Sequence, residues 1–238
     1  MARVQSSRVQ GGAASPAEVA RFDALAAEWW DPHGPMAPLH AMNPLRTAWI
    51  DARLPGPGRL LDVGCGAGLA SESLARRGHA VLGIDAAPQA LAAAQAHAAG
   101  QGLALEYRLG TTGDLVREGQ RFDAVTALEV IEHVPDPAGF LQDLAALLAP
   151  GGRLFISTLN RTARSLLTAK IGAEYVLRLL PRSTHDWRRF VTPAELARDA
   201  RLAGLRVVDT AGLTFDPLRM AWRTGQDLSI NYIAAFAR

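Results

Sequence analysis

The chain has 238 residues, 49% of them hydrophobic and 20% charged, which suits one globular domain with a sizeable core. A formal net charge of +2 is too mild to indicate a nucleic-acid binder, in spite of a sequence pI near 9.1. The single cysteine, Cys65, rules out a disulfide framework and points to a reducing compartment, and no apolar run is long enough for a membrane span.

Residues 1–15 are basic, Ser-rich and free of acids, and read as a disordered tail. "SPAEVARFDALAAEWW" then opens a helix. Ser15 caps it, Pro16 takes the first helical position and Glu18 completes a capping box, while "DPHGP" ends it. "NPLRTAWIDARL" reads as a second helix, started by Asn43 and Pro44 and closed by "PGPG". Residues 16–57 thus form a helical cap ahead of a main domain over 58–238.

In the main domain the pattern alternates. "RLLDVG", "HAVLGID", "LALEYRLG", "RFDAVTAL" and "RLFISTLN" read as strands. "AGLASESLARRG", "APQALAAAQAHAAG" and "DPAGFLQDLAALLAPGG" read as helices between them, each ending in glycine. Strand–helix alternation of this kind predicts an α/β fold, a parallel sheet with helices on both faces. Residues 161–190 interrupt it and read as an insertion before the helix "TPAELARDARLAG". "LRVVDTAGL" and "LSINYIAAFAR" close the chain as two strands, expected as an antiparallel pair at one sheet edge.

"LLDVGCGAG" joins the first strand to the first helix of this domain. Gly64, Gly66 and Gly68 allow positive φ and a close approach of ligand to backbone. Asp85 ends the next strand, where a carboxylate takes both hydroxyls of a ribose. Dinucleotide loops favour G-x-G-x-x-G. Here the spacing is G-x-G-x-G, and Asp62 stands two residues before the first glycine, where it would repel a pyrophosphate. That acid suits a cationic cofactor such as S-adenosylmethionine.

On this loop and its distant acid, residues 58–238 resemble the class I S-adenosylmethionine-dependent methyltransferases. The resemblance implies a Rossmann-like sheet of seven strands whose last strand is antiparallel. "WWDPHGPMAPLHAMNPLR", "LEVIEHVPDP", "STLNRT", "GAEYVLRLLP" and "THDW" sharpen it: with the loop, they resemble the ubiquinone biosynthesis O-methyltransferase family. The resemblance implies cofactor contacts at Arg46, Gly64, Gly66, Asp85 and Leu128. A guanidinium at Arg46 suits the methionine carboxylate, which it would pair in bidentate fashion. Asp114 lies near the expected adenine contact, which stays unassigned.

Glu129, Glu132 and His133 follow the fourth strand. In a helical turn they share a face, and two carboxylates with one imidazole suit a divalent metal. Ligand softness alone leaves magnesium, manganese and zinc open; the resemblance implies magnesium on these three residues. The implied acceptors are polyprenylated phenols or catechols of ubiquinone synthesis, with His133 or His185 taking the proton. Over 161–182, Leu167, Ile171, Tyr175 and Leu179 recur every four residues between arginines and Lys170. That pattern reads as an interfacial helix on anionic lipid, or as a lid. Trp29 and Trp30 line the same opening or pack in the core. The expected setting is the cytoplasmic face of the inner membrane, with other quinone-biosynthesis enzymes as partners. Rival readings are a methyltransferase for another small phenol, an NAD-dependent oxidoreductase and a non-catalytic scaffold.

Overall fold

The structure, a computed structural model, describes residues 15–167, 187–216, 219 and 221–238. His185, most of the interfacial helix and the expected tail apart from Ser15 therefore lie outside the described residues.

One mixed sheet organises the chain. Its strands are β1 (Arg59–Val63), β2 (Ala80–Asp85), β3 (Glu106–Leu109), β4 (Phe122–Leu128), β5 (Leu148–Leu159), β6 (Arg206–Asp216), β7 (Ala221–Gly225) and β8 (Asn231–Ala237). They lie in the order β3-β2-β1-β4-β5-β8-β6-β7. The first five pair in parallel, and β8 runs antiparallel between β5 and β6. Among the described residues the strands therefore number eight rather than the expected seven. The extra one, β7, is short and mostly exposed, so its "AWRTG" carries no alternation by which to recognise it.

Side chains alternate across the sheet with the strand period of two. Leu61, Val125 and Leu154 join one apolar layer, while their neighbours Leu60, Ala124 and Phe155 join the other. The helices are α1 (Pro16–Ala24), α2 (Ala37–Asp51), α3 (Leu69–Ala75), α4 (Pro88–Gly100), α5 (Thr112–Arg117), α6 (Pro137–Ala146) and α7 (Pro193–Leu202). Among the described residues no helix is long and apolar enough to cross a membrane.

Three local expectations change. The second helix, α2, starts at Ala37 rather than Asn43, so Pro44 lies inside it. Asn43 is no cap: its side chain donates to the Leu69 carbonyl at 2.7 Å and fastens α2 to α3. The capping box at Ser15 is half formed. Ser15 accepts from the Glu18 N–H, but the Glu18 carboxylate turns to His133 and Arg189. Finally, α5 was not expected; Thr111 and Asp114 cap it reciprocally.

Asp23 of α1 makes one long-range connection. Its Oδ1 accepts from the Gln89 N–H at 2.8 Å and the Ala90 N–H at 3.4 Å. Those are first-turn groups of α4, whose own N-cap position is Ala87 and carries no side-chain acceptor.

Candidate active site

At the carboxyl ends of β1 and β4, where the strand order reverses, a cavity of about 380 Å³ opens. It is lined by Asp62, Gly64, Gly66, Asp85, Thr111 and Thr112 at one end. Leu39, Met42, Leu128, Leu159 and Trp222 line it at the other, with Arg46, Glu129, His133 and Asn231 also in its wall. Every expected cofactor residue, Arg46, Gly64, Gly66, Asp85 and Leu128, therefore faces one space.

The glycine loop is built for close approach. Gly66 adopts φ 54°, and a Cβ there would fall 2.3 Å from the Trp29 ring. Trp29 roofs the loop, whereas Trp30 turns aside, stacks on His97 at 3.4 Å and donates to the Ala67 carbonyl. Asp85 accepts from the Gly66 N–H and the Ala87 N–H, both at 2.8 Å, so each of its carboxylate oxygens is fixed by the backbone. Burial raises its pKa, against those two donors. Asp62 is fully enclosed. It accepts from Ser71 at 2.6 Å and Thr126 at 2.8 Å, while burial raises its pKa and Arg46 lowers it.

Arg46 is 3% exposed, and its Nε and one Nη have no hydrogen-bond acceptor. The nearest carboxylate oxygen, on Glu129, is 3.8 Å away. Burial lowers the Arg46 pKa, with Glu129 and then Asp62 opposing. A buried guanidinium with unused donors is costly unless an anion meets it. The orphaned donors fit the methionine carboxylate of S-adenosylmethionine.

The three expected metal ligands do not converge. Glu129 has φ 58°, the one positive-φ non-glycine among the described residues. Its N–H donates to the Ser157 carbonyl and its Oε1 accepts from Ser157 at 2.6 Å. Glu132 is 4% exposed; its Oε2 accepts from Thr158 at 2.9 Å and its Oε1 has no donor. Burial, and then the Glu129 charge, push its carboxyl up to about 8. His133 turns the other way, with Nδ1 3.1 Å from Glu18 and its ring edge-on to Phe22 at 5.5 Å. The segment is a 3-10 turn rather than an α-helical one, which spoils the shared face. Among the described residues no three His, Cys, Asp or Glu side chains are placed to hold a metal ion. As placed, the magnesium set expected at Glu129, Glu132 and His133 is a carboxylate pair with the histidine turned to Glu18, and it does not fit a metal ion in this arrangement. The Asp114 carboxylate closes the α5 cap with Thr111, and Thr111 and Thr112 line the cavity.

Comparison with known proteins bears on this cavity. A family model described as a methyltransferase domain matches residues 39–210. The ubiquinone biosynthesis O-methyltransferase of Azorhizobium caulinodans is 49% identical over 230 residues, covering 91% of each chain. The protein of the same name in Cereibacter sphaeroides is 48% identical and covers 94% of this chain and 96% of its own. The chain belongs to the ubiquinone biosynthesis O-methyltransferase family. It is an S-adenosylmethionine-dependent methyltransferase, and the dinucleotide alternative falls. Solved structures agree on the fold. The magnesium protoporphyrin IX methyltransferase of Synechocystis, solved with bound SAH, has a TM-score of 0.57 at 24% identity over 81% of this chain and 80% of its own. A possible histamine N-methyltransferase from Thermotoga maritima reaches 0.64 at 16% identity, covering 92% and 98%.

Four residues of this methyltransferase site escaped the sequence reading in their roles: Glu18, Thr111, Trp222 and Asn231. Only Thr111 left a signal, since T-x-x-D ahead of an apolar pair is a capping pattern. The other three reach the cavity or His133 through tertiary contacts alone.

Proposed function

We propose that this methyltransferase transfers the methyl group of S-adenosylmethionine to a ring hydroxyl of a polyprenylated phenol or catechol. The acceptors would be the 2-polyprenyl-6-hydroxyphenol and 3-demethylubiquinol stages of ubiquinone synthesis. The observation that carries the donor half is Arg46, whose orphaned donors call for a carboxylate inside the cavity. The relatives' names and the apolar lining past Leu128 support the acceptor half.

The donor supplies an electrophilic methyl on a cationic sulfur. The chain's residues do the rest. Arg46 binds the amino-acid end and Asp85 takes the ribose hydroxyls, while Leu128 packs against the cofactor. Asp62 adds fixed negative charge beneath the loop, favourable to a cation. A phenol with a pKa of about 10 is mostly neutral at pH 7, so a base is needed. His133 takes that role. Burial lowers its pKa, against the pull of Glu18, and so keeps the imidazole neutral. Glu18 at Nδ1 favours the tautomer whose lone pair is on Nε2. Alignment, rather than covalent chemistry, is the main contribution of the protein.

Magnesium assistance does not fit the ligands as they are placed, so no step passes through a metal. A tailed acceptor is held in a bilayer, and the reading puts the protein at the cytoplasmic face of the inner membrane. Sedimentation with anionic vesicles checks that placement. The decisive experiment is transfer of labelled methyl to a short-tailed catechol, with magnesium and with chelator. Transfer that persists in chelator supports the metal-free reading, and transfer abolished there overturns it. No transfer under either condition, with S-adenosylhomocysteine still bound, overturns the acceptor class.

A further inference from the structure

The cavity wall includes a side chain from β7, the strand that alternation does not supply. Phe215 of β6 and Trp222 of β7 are directly opposite in the antiparallel pair, so both project from one face of the hairpin. Their ring centroids are 5.8 Å apart. Trp222 lines the cavity, whereas Phe215 is 44% exposed. The last pair to match β8 is Leu213 with Asn231, so the hairpin beyond it overhangs the strand ends. Opposite stands α2, whose Leu39 and Met42 line the cavity and belong with Trp222 to the same apolar layer. Phe215, Trp222, Met42 and Leu39 thus form a continuous apolar track from solvent to the wall near Leu128.

We infer that this track between α2 and the β6–β7 hairpin carries the isoprenoid tail of the acceptor out of the cavity, and that Trp222 sets the preference for tailed over untailed rings. The inference rests on the acceptor class proposed above and goes further in naming the route. The cofactor end has a different use: there Asp62, Asp85, Thr111 and Thr112 set polar groups beside the glycine loop, whereas the α2–β7 side offers no carboxylate or hydroxyl along Leu39, Met42 and Trp222. An aromatic pair graded from buried to exposed covers a flexible apolar chain without demanding a fixed shape.

The test compares kcat/KM for two catechols, one bearing a two-isoprene tail and one bearing none. Their ratio in the wild type should favour the tailed ring. In Trp222→Ala that ratio should fall ten-fold or more, about 1.4 kcal/mol. Trp222→Phe should restore most of it. Phe215→Glu, at an exposed position, should lower the ratio in the same direction. A ratio within two-fold of wild type in both Trp222→Ala and Phe215→Glu overturns the route while leaving the acceptor class intact. Failure of the wild type to methylate either ring overturns the acceptor class, and the route with it.

Discussion

The two ends of the cavity are made by different means. At the cofactor end, carboxylates are fixed by backbone N–H groups or by hydroxyls: Asp85 by Gly66 and Ala87, Asp62 by Ser71 and Thr126. At the acceptor end the walls are apolar side chains, and the charged groups are left incompletely matched. Glu132 has an orphaned oxygen and Glu129 sits in a backbone region that costs on the order of 1–3 kcal/mol, while Arg46, between the two ends, keeps its orphaned donors for the cofactor's carboxylate. A cofactor whose shape does not vary can be met by a pre-set cradle. A reacting centre keeps unspent polarity for groups that arrive with the substrates.

Arg46→Ala probes this contrast hardest. Removing a buried charge from its ionic partner costs roughly 2–5 kcal/mol, so calorimetry should show S-adenosylhomocysteine binding weakened about 100-fold or more. Arg46→Lys should recover only part, because an ammonium lacks the planar fork. Unchanged affinity would break the contrast, since Arg46 would then belong to the acceptor.

Glu132→Gln sharpens the comparison through pH. Folding lifts the Glu132 carboxyl from an ordinary 4.5 to about 8, so the folded state holds its proton more tightly. The stability it contributes is whole below pH 4.5 and is lost as pH rises through about 8. The amide variant should lose that dependence, worth a few kcal/mol, and melt at a more constant temperature between about pH 5 and pH 9. A wild-type melting curve flat over that window would show that the acceptor end is electrostatically settled after all.

Asp85→Asn is the mildest change. It keeps one acceptor oxygen for the loop but removes the carboxylate proposed for the ribose. Affinity for S-adenosylhomocysteine should fall about ten-fold, the worth of one hydrogen bond to a charged group. The KM for the phenol should hardly move; a matching rise in it would erase the boundary between the two ends.

What the sequence showed follows the same boundary. Gly64, Gly66, Asp62 and Asp85 are read from local spacing, because a βα turn fixes their neighbours within one crossover. Leu128 and Arg46 needed the family resemblance. Trp222 and Glu18 were beyond either, since each depends on where a remote element docks. The expected metal set does not assemble, for a local reason. Three residues at i, i+3 and i+4 share a face in an α-helix, but a 3-10 turn and the left-handed Glu129 send His133 to Glu18 instead. The α2 start failed for the opposite one: Pro44 looked like a first-turn residue, yet Pro38 begins the helix and Asn43 serves α3.

The Asp23 connection also bears on folding cooperativity. A helix whose cap is lent from more than sixty residues upstream cannot complete its first turn until the amino-terminal segment has docked. Trimming that segment away would cost about 1 kcal/mol of capping and should fray α4 at the strand end that bears Asp85. The leading helix in that sense contributes to the stability of the sheet domain rather than standing beside it as an accessory.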